Sequence, residues 1–274
     1  MTEIESPYTV LALIYDNFME ATDFDLWAEF IRSKIQNLYR ANPRKILELA
    51  SGTGAMTEAL LKVFPESKIT GLDVSRSMLK IAEERLSKFP PGSCKFINSS
   101  MENLRKVTAE KYDLVVLVNS SISYLTSMKE VSNLFKEVFQ VLRSGGIFYF
   151  DIASDRHIKE VFQNAVFIEE GPLEENLSRK IMGKSYRSFY CVWSNEYDES
   201  TGSVAAIYDI FLEENSSGKS TWERFQEVHP QKIHKPSELK RELVKAGFKR
   251  IKVFKNYQQK GKDFRGFNFF TQKI

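Results

Sequence analysis

Short apolar runs alternate with helical patterns through the first half of the chain. Between these runs, apolar residues three and four apart predict amphipathic helices, whose starts are marked by Ser75 and by a capping box at Ser127–Glu130. This alternation predicts an α/β, Rossmann-like fold with a doubly wound, mostly parallel sheet. The predicted strands are Ile46–Leu49, Lys68–Asp73, Cys94–Asn98, Tyr112–Val118 and Ile147–Ile152.

After residue 153 the pattern changes to alternation of apolar and polar residues, which predicts antiparallel strands joined as hairpins. Turn-forming clusters at 198–202 and 215–218 separate the alternating segments. Pro236 then begins a helix that ends at Ala246-Gly247, and a closing strand pair brings the main sheet to seven strands. The alternating segments are Tyr186–Tyr197, Ser203–Leu212 and Ser220–His229, and the closing pair is Arg250–Phe254 with Phe267–Thr271.

Two apolar, aromatic segments precede the first strand. Tyr8–Glu20 and Phe24–Ile35 have the spacing of amphipathic helices, which predicts an N-terminal helical cap. The hairpins interrupt the main fold after its fifth strand, so we interpret them as an insertion that builds a pocket or a subunit interface. The predicted division is a cap at 1–42, a main domain at 43–153 and 235–274, and an antiparallel β insertion at 154–234.

The first strand runs directly into a glycine loop, Ser51-Gly52-Thr53-Gly54. Gly52 permits a tight turn and Gly54 lets the backbone approach a ligand, because neither carries a Cβ. In open α/β sheets, ligands bind at the carboxyl ends of the strands. Asp73 ends the second strand. A carboxylate at this position can accept hydrogen bonds from both ribose hydroxyls of a nucleoside bound over the loop. The loop and Asp73 together predict a nucleoside-type ligand.

Composition sets limits on partners and location. With 274 residues, 42% hydrophobic and 27% charged, the chain is long enough for one large domain with an insertion. A net charge of +3 is too small to require nucleic acid, although Lys and Arg outnumber acids from Gln231 onward. The two cysteines form no CxxC motif, and we see no pattern typical of a signal peptide, a membrane-length apolar run or a metal-ligand motif. We therefore expect a cytoplasmic protein without a metal.

Four segments, in order, resemble the motifs of the class I S-adenosylmethionine-dependent methyltransferases, and the resemblance covers nearly the whole chain. Within this class, Tyr15–Met19, the Ser120–Tyr124 run and the hairpin insertion resemble small-molecule enzymes, especially the amino-sugar N,N-dimethyltransferase group. The resemblance implies S-adenosyl-L-methionine as cofactor and methyl transfer to nitrogen or oxygen of a small-molecule acceptor, by a monomer or homodimer. The four segments are Glu48–Gly54, Gly71–Ser75, Tyr112–Val115 with Asn119–Leu125, and Leu142–Gly146.

The resemblance also implies roles at matching positions. Glu48 would lie beneath the methionine amino group, and Asp73 would hold the ribose. Ser100 stands where the family usually has an acid that accepts from the adenine amino group; a serine hydroxyl can still accept this bond, but it is uncharged. The other implied cofactor contacts are the backbone at Ala50, Gly52 and Gly54 and adenine packing by Val74, Met78 and Met101, and we count Tyr15 and Asn119 among the cofactor-binding residues as well.

Three residues are candidates for the chemistry of transfer. Tyr15 could set its hydroxyl or ring against the sulfonium, whereas Tyr124 and His157 follow strands four and five at the rim where an acceptor would sit. An amine acceptor must only lose a proton, but a hydroxyl acceptor calls for a positioned base. His229 and His234 flank the last hairpin and are expected to be surface or packing residues.

Other functions stay open from the sequence. An RNA (tRNA) methyltransferase could use the basic C-terminal face, but Asn119 is followed by two serines rather than by the Pro-Pro-aromatic signature of that class. A nicotinamide-dependent oxidoreductase is disfavoured because Thr57 replaces the third glycine of GxGxxG. A non-catalytic cofactor-binding module is the remaining alternative.

Overall fold

The computed structural model describes residues 8–163, 165–173, 184–214, 220–255 and 265–274. The chain folds into a seven-stranded sheet and a four-stranded sheet. In chain order the strands are β1 Lys45–Leu49, β2 Lys68–Asp73, β3 Cys94–Asn98, β4 Tyr112–Leu117, β5 Leu142–Ala153, β6 Val166–Pro172, β7 Tyr186–Asp198, β8 Ser203–Glu214, β9 Trp222–Lys232, β10 Lys249–Lys255 and β11 Gly266–Gln272.

Helices connect the strands of the larger sheet. They are α1 Tyr15–Met19, α2 Phe24–Tyr39, α3 Ala55–Val63, α4 Arg76–Leu86, α5 Leu104–Val107, α6 Met128–Val141, α7 Asp155–His157 and α8 Pro236–Lys245. The predicted starts of helices α4 and α6 are confirmed. The Ser75 side chain accepts a hydrogen bond from the Met78 amide, and Ser127 and Glu130 form a reciprocal capping box. Short 3-10 turns lie at Leu11–Leu13 and Ser121–Tyr124.

The larger sheet has the strand order β10-β11-β5-β4-β1-β2-β3. Strands β1 to β5 are mutually parallel, and β11 runs antiparallel between β5 and β10. Because the order reverses between β1 and β4, the loops after these two strands face a crevice at the carboxyl edge. The prediction of a mostly parallel seven-stranded α/β fold with an antiparallel insertion is confirmed.

Side chains alternate across β1 and direct the packing of both sheet faces. Leu47 and Leu49 pack with the helices α6 and α8, whereas Ile46 packs with α2 and α3. Glu48 shares the face of Ile46 and is fully buried. A carboxyl group in this position is costly unless it is neutral, hydrogen-bonded or paired, so it marks a site.

The insertion sheet has the order β6-β7-β8-β9. The hairpin strands β7 to β9 are as expected, whereas β6 was missed, because Val166–Pro172 combines two acids, a glycine and a proline in a half-exposed edge strand. The expected turn at 215–218 lies outside the described residues.

The two halves of the predicted cap have different partners. Residues 8–19, called the N-terminal segment below, bury Val10, Leu11 and Ile14 against the inner face of the insertion sheet. Helix α2 instead packs on the main sheet. The three-part domain division stays a prediction. None of the described helices is long and apolar enough to cross a membrane.

Candidate functional site

Glu48 lies under the carboxyl edge of the sheet with one oxygen satisfied. Its Oε2 accepts a 2.5 Å hydrogen bond from the Thr57 hydroxyl, whereas Oε1 has no hydrogen-bond partner among the described residues. Burial raises the pKa of Glu48 to about 8; the Thr57 bond lowers it and the nearby Asp73 carboxylate raises it further. The group is therefore largely protonated at neutral pH until a cation reaches Oε1.

A small cavity of about 40 Å³ lies over Glu48. Tyr15, Ala50, Gly52 and Asn119 are among the residues that line it. Ser51 is also a lining residue, and its hydroxyl, like Glu48 Oε1, is buried without a partner in the described chain. Two unsatisfied buried polar atoms on residues that line one cavity are unusual in a native structure and indicate a polar ligand site.

Two glycines of the loop have left-handed backbone, and their surroundings differ. Gly52 has φ +53°, and open space lies where its Cβ would be. Gly54 has φ +78°, but its Cβ would meet Leu86 Cδ2 at 2.9 Å and Ala82 Cβ at 3.0 Å. The absence of a side chain at Gly54 therefore lets α4 pack against the loop, rather than opening the backbone toward the cavity. A direct cofactor contact of Gly54 stays a prediction.

Left-handed backbone at non-glycine residues is concentrated here. Tyr8, Ala50, Asn119 and Ser120 have φ of 60°, 52°, 57° and 56°. Such conformations cost free energy and persist where surrounding contacts enforce them, which is common at functional sites. Ser120 is held by its amide, which donates to the Asp151 carboxylate at 3.1 Å.

Asp73 ends β2 beside the loop, as predicted. Its Oδ2 accepts from the Gly52 amide and its Oδ1 from the Ser75 amide, both at 2.9 Å. Burial raises the pKa of Asp73, and the backbone bonds partly offset that effect. Each carboxylate oxygen has two lone pairs, so both keep capacity to accept a ribose hydroxyl.

The predicted adenine residues lie at the ends of β2 and β3. Val74 is 49% exposed, but Met78 is only 2% exposed and packs with Ala12 of the N-terminal segment. The Ser100 hydroxyl accepts from the Glu102 amide at 3.2 Å and so caps the following turn. Met101 is half-buried against the main core. Their contacts with adenine stay predictions.

An ion pair fastens the N-terminal segment to the glycine loop. Asp16 accepts from the Thr53 hydroxyl at 2.7 Å and pairs with Arg85 at 2.6 Å, while Arg85 Nε donates to the Thr53 carbonyl at 2.9 Å. Beside it, the Tyr15 hydroxyl accepts from Asn119 Nδ2 at 3.1 Å, and burial raises the pKa of Tyr15 to about 12. The sequence indicated Tyr15 but not Asp16 or Arg85.

Asp16→Ala is expected to loosen this closure. Amide hydrogen exchange within residues 8–19 should speed up about five- to tenfold, since a partly exposed ion pair with a hydroxyl bond is worth about 1 kcal/mol. Exchange followed by mass spectrometry checks this. The control Asp25→Ala removes the exposed Lys62 pair on α2 and should leave exchange of the segment unchanged. Equal exchange in the wild type and Asp16→Ala would contradict the fastening role.

A second buried set of polar groups adjoins Tyr15; we call Tyr8, Tyr124, Glu227, His229 and Gln231 the hydroxyl–histidine network. The Tyr8 and Tyr124 hydroxyls share a short hydrogen bond. Tyr124 lies 3.3 Å from His229 Nδ1 and accepts from Gln231 Nε2 at 3.2 Å. His229 Nε2 lies 2.9 Å from Glu227 Oε2. The Tyr8 ring packs edge-on against Tyr15 at 5.8 Å, which joins the network to the cavity.

Glu227 also holds the N-terminal segment. It accepts the backbone amides of Tyr8, Val10 and Leu11 at 2.7, 2.7 and 3.0 Å. Burial would raise the pKa of Glu227, but its bonds from His229 and the backbone amides outweigh burial and lower it. An ionised Glu227 is thus the fixed charge of the network.

The structure brings Tyr15 and Tyr124 together but places His157 elsewhere. Its ring packs against Phe162 at 5.3 Å, and its catalytic role stays a prediction. His229, expected at the surface or in packing, is 1% exposed and lies inside the network. Sequence reasoning missed Tyr8, Glu227 and His229 as site residues. The available signal was that Glu227 and His229 are two apart on one strand and so share a face.

Comparisons with known proteins agree with this geometry. Residues 46–146 match the family described as Methyltransferase domain. The chain is 28% identical over 248 residues to the putative methyltransferase YqeM of Bacillus subtilis, covering 90% of this chain and 88% of that protein. It is 25% identical over 216 residues to a malonyl-[acyl-carrier protein] O-methyltransferase of Bacillus anthracis, covering 77% and 74%.

Solved structures share the fold. An S-adenosylmethionine-dependent methyltransferase from Clostridium acetobutylicum superposes with a TM-score of 0.73 at 23% identity, over 97% of this chain and 99% of that chain. The sugar N-methyltransferase KedS8 from a Streptoalloteichus species also gives 0.73, at 19% identity, over 100% and 97%.

Residues 46–146 are thus a methyltransferase domain, and the fold is that of the class I S-adenosylmethionine-dependent methyltransferases. More particularly, its similarity to the putative methyltransferase YqeM extends over nearly the full length of both chains. The resemblance seen in the motifs is confirmed, as is the cofactor that it implies. The nicotinamide-dependent alternative finds no support in these matches.

Proposed function

We propose that the protein transfers a methyl group from S-adenosylmethionine to a nitrogen or oxygen of a small-molecule acceptor. The observation that carries the proposal is the junction of the cavity over Glu48 with the hydroxyl–histidine network through Tyr15 and Tyr8. The cavity lies between the N-terminal segment and the carboxyl edge of the main sheet, and the network lies between that segment and strand β9 of the insertion sheet. A recess walled by aromatic rings with a few convergent polar groups suits a small ligand.

The residues at the cavity suit the cofactor. In our proposal, Glu48 Oε1 and the Ser51 hydroxyl, both unsatisfied, receive the ammonium of the methionine moiety. Asp73 accepts the ribose hydroxyls, and Tyr15 stands beside the sulfonium. Bound there, S-adenosylmethionine supplies a methyl group activated for in-line displacement, so the protein's part is alignment and exclusion of water.

Placement of the basic face supports a small acceptor over RNA. The basic C-terminal residues Lys249, Arg250, Lys252 and Lys255 belong to the edge strand β10. Four strand spacings, about 19 Å, separate β10 from β1 and its glycine loop. Tight, salt-sensitive binding of tRNA would favour the RNA alternative instead.

Binding and transfer test the proposal in turn. We expect calorimetry to show binding of S-adenosylmethionine and S-adenosylhomocysteine and no binding of NADH. A labelled-methyl assay against pooled amino sugars, amines, phenols and carboxylic acids then identifies the acceptor atom. Carboxylates belong in the pool because one relative is named for O-methylation of a malonyl group, and amino sugars because KedS8 is named a sugar N-methyltransferase. Binding of NADH without either sulfur compound would refute the proposal.

We further propose that the enzyme is cytoplasmic and acts as a monomer or homodimer. Cys94 and Cys191 are both free, which suits a reducing compartment. Light scattering on the purified chain, whose monomer mass is 31.7 kDa, distinguishes the two oligomeric states.

A further inference from the structure

The hydroxyl–histidine network has a defined direction of donation. Because Glu227 is an ionised acceptor, we assign the ring proton of His229 to Nε2, which donates to Glu227. His229 Nδ1 is then an acceptor, and the Tyr124 hydroxyl donates to it. Gln231 occupies one lone pair of the Tyr124 oxygen, and the other receives the Tyr8 hydroxyl proton. The oxygen of Tyr8 is therefore left with acceptor capacity at the end of the chain nearest Tyr15.

We propose that Tyr8, Tyr124 and His229 form a proton relay, oriented by Glu227, that removes the proton from the methyl acceptor. This proposal rests on the methyltransferase function above and deepens it by defining the acceptor class. The acceptor atom carries a proton in its resting state, as in an ammonium or a hydroxyl group. A carboxylate is already ionised and needs no such relay.

The proton balance closes within the network. An ammonium acceptor loses its proton before it attacks, and a hydroxyl acceptor loses it as it attacks. The lone pair of the acceptor atom then forms the bond to the methyl carbon, and the electron pair of the carbon–sulfur bond stays on sulfur. The acceptor proton passes to the Tyr8 oxygen, the Tyr8 proton to the Tyr124 oxygen, and the Tyr124 proton to His229 Nδ1. The resulting imidazolium lies 2.9 Å from the Glu227 carboxylate, which stabilises it.

His229 lies at the inner end of the relay, where its Nδ1 receives the transferred proton. The titratable groups that face it come from several elements: Tyr8 of the N-terminal segment, Tyr124 of the turn after β4, Tyr208 of β8, and Glu227 of its own strand β9. Burial raises the pKa of Tyr8, Tyr124 and Tyr208. These tyrosines stay neutral and conduct protons, while His229 stores the proton.

The protonation state of His229 tests the relay without a known acceptor. In the complex with S-adenosylhomocysteine at pH 7.5, nitrogen-15 NMR should show neutral His229 with its proton on Nε2. The chain has three histidines, so His229→Asn assigns the signal by its disappearance. A proton on Nδ1, or an imidazolium at this pH, would reverse the direction of donation and overturn the proposal.

Kinetics test the acceptor class with a phenol, an amino sugar and malonyl-pantetheine as probes. We expect transfer to the phenol or the amino sugar, and His229→Asn should lower kcat about 100-fold at pH 7.5 with little change in KM for the cofactor. Its rate should recover as pH rises, because the acceptor then loses its proton to solvent. A merely structural role for His229 would not give this recovery.

His234→Asn is the matched control. His234 is also buried, but it bonds the Leu125 carbonyl at 2.8 Å and lies outside the relay. It should keep the wild-type pH profile. Preferred transfer to malonyl-pantetheine, or parallel pH profiles for His229→Asn and the wild type, would overturn the relay.

Failure of the relay and failure of the proposed function are distinguishable. If none of the probes is methylated, the relay is tested by the nitrogen-15 NMR measurement of the His229 tautomer alone. Absence of binding of both sulfur compounds refutes the proposed function. Binding with the wrong tautomer refutes only the relay.

Discussion

Glu48→Gln is expected to raise the free energy of unfolding by about 2 to 3 kcal/mol near pH 8, and to weaken S-adenosylmethionine binding at least tenfold. The two effects have opposite signs because one buried carboxyl group serves binding and not stability. Glutamine keeps the shape and the Thr57 bond but cannot ionise. The side-chain amide of the introduced glutamine has hydrogens that find no buried acceptor, which limits the gain in the free energy of unfolding.

The pH dependence follows from the raised pKa of about 8 for Glu48 in the folded state, compared with 4.5 for the ordinary group. A carboxyl group with a raised folded pKa contributes stability that is fully present below about pH 4.5 and is lost as pH rises through about 8. The wild type should therefore lose stability relative to Glu48→Gln between these limits. Urea titrations at about pH 5 and pH 8 measure the difference. A constant difference across this range would show that Glu48 is already ionised when folded.

Cofactor binding should also release a proton from Glu48. The ammonium of the methionine moiety favours the charged carboxylate, so at pH 7 the wild type should release close to one proton on binding. Calorimetry in buffers of different ionisation enthalpy measures that number, and Glu48→Gln should release none. Equal release from both proteins would place the ammonium elsewhere.

Asp73→Ala should weaken cofactor binding by about 1 to 3 kcal/mol, roughly 5- to 150-fold, through the loss of charge-assisted hydrogen bonds to ribose. The change also removes the acceptor of the Gly52 and Ser75 amides, so part of the loss arises from the loop. Comparison with a 2′,3′-dideoxy analogue of the cofactor separates the two contributions. The analogue lacks the ribose hydroxyls, so any loss of its affinity in Asp73→Ala measures the contribution of the loop. The additional loss of affinity for the cofactor itself measures the ribose hydrogen bonds.

Asp113→Ala is the control for this experiment. Asp113 also accepts two backbone amides, from Arg44 and Lys45 at 2.7 and 2.8 Å, but lies at the start of β4, at the opposite edge of the sheet. It should lower stability without a change in cofactor affinity. If Asp73→Ala behaves in the same way, Asp73 is a structural cap and not a ribose ligand.

The sequence predicted the fold because its signals are local, and for the same reason it predicted that the proposed cofactor residues lie close together. Glu48, Gly52 and Asp73 belong to one strand–loop–helix–strand unit, and the spacing of that unit places them together. The packing of Gly54 against Ala82 and Leu86 was not predicted because these neighbours come from the next helix. Strand β6 was missed because an edge strand needs no strict alternation.

The proposed acceptor side could not be predicted because its residues meet only through tertiary packing. Tyr8, Tyr124 and His229 come from the N-terminal segment, a turn after β4 and the insertion sheet. His229 shares its sequence pattern with many packing residues, and its distinction lies in Glu227 and Tyr124 on either side. No local spacing connects residues more than 100 positions apart.

The three backbone contacts of Glu227 link two parts of the proposed mechanism. The carboxylate that orients His229 also accepts the amides of Tyr8, Val10 and Leu11. In the proposed relay, displacement of this part of the N-terminal segment would separate Tyr8 from Tyr124 and break the proton path. Closure of the segment over the site and deprotonation of the acceptor would therefore depend on the same carboxylate.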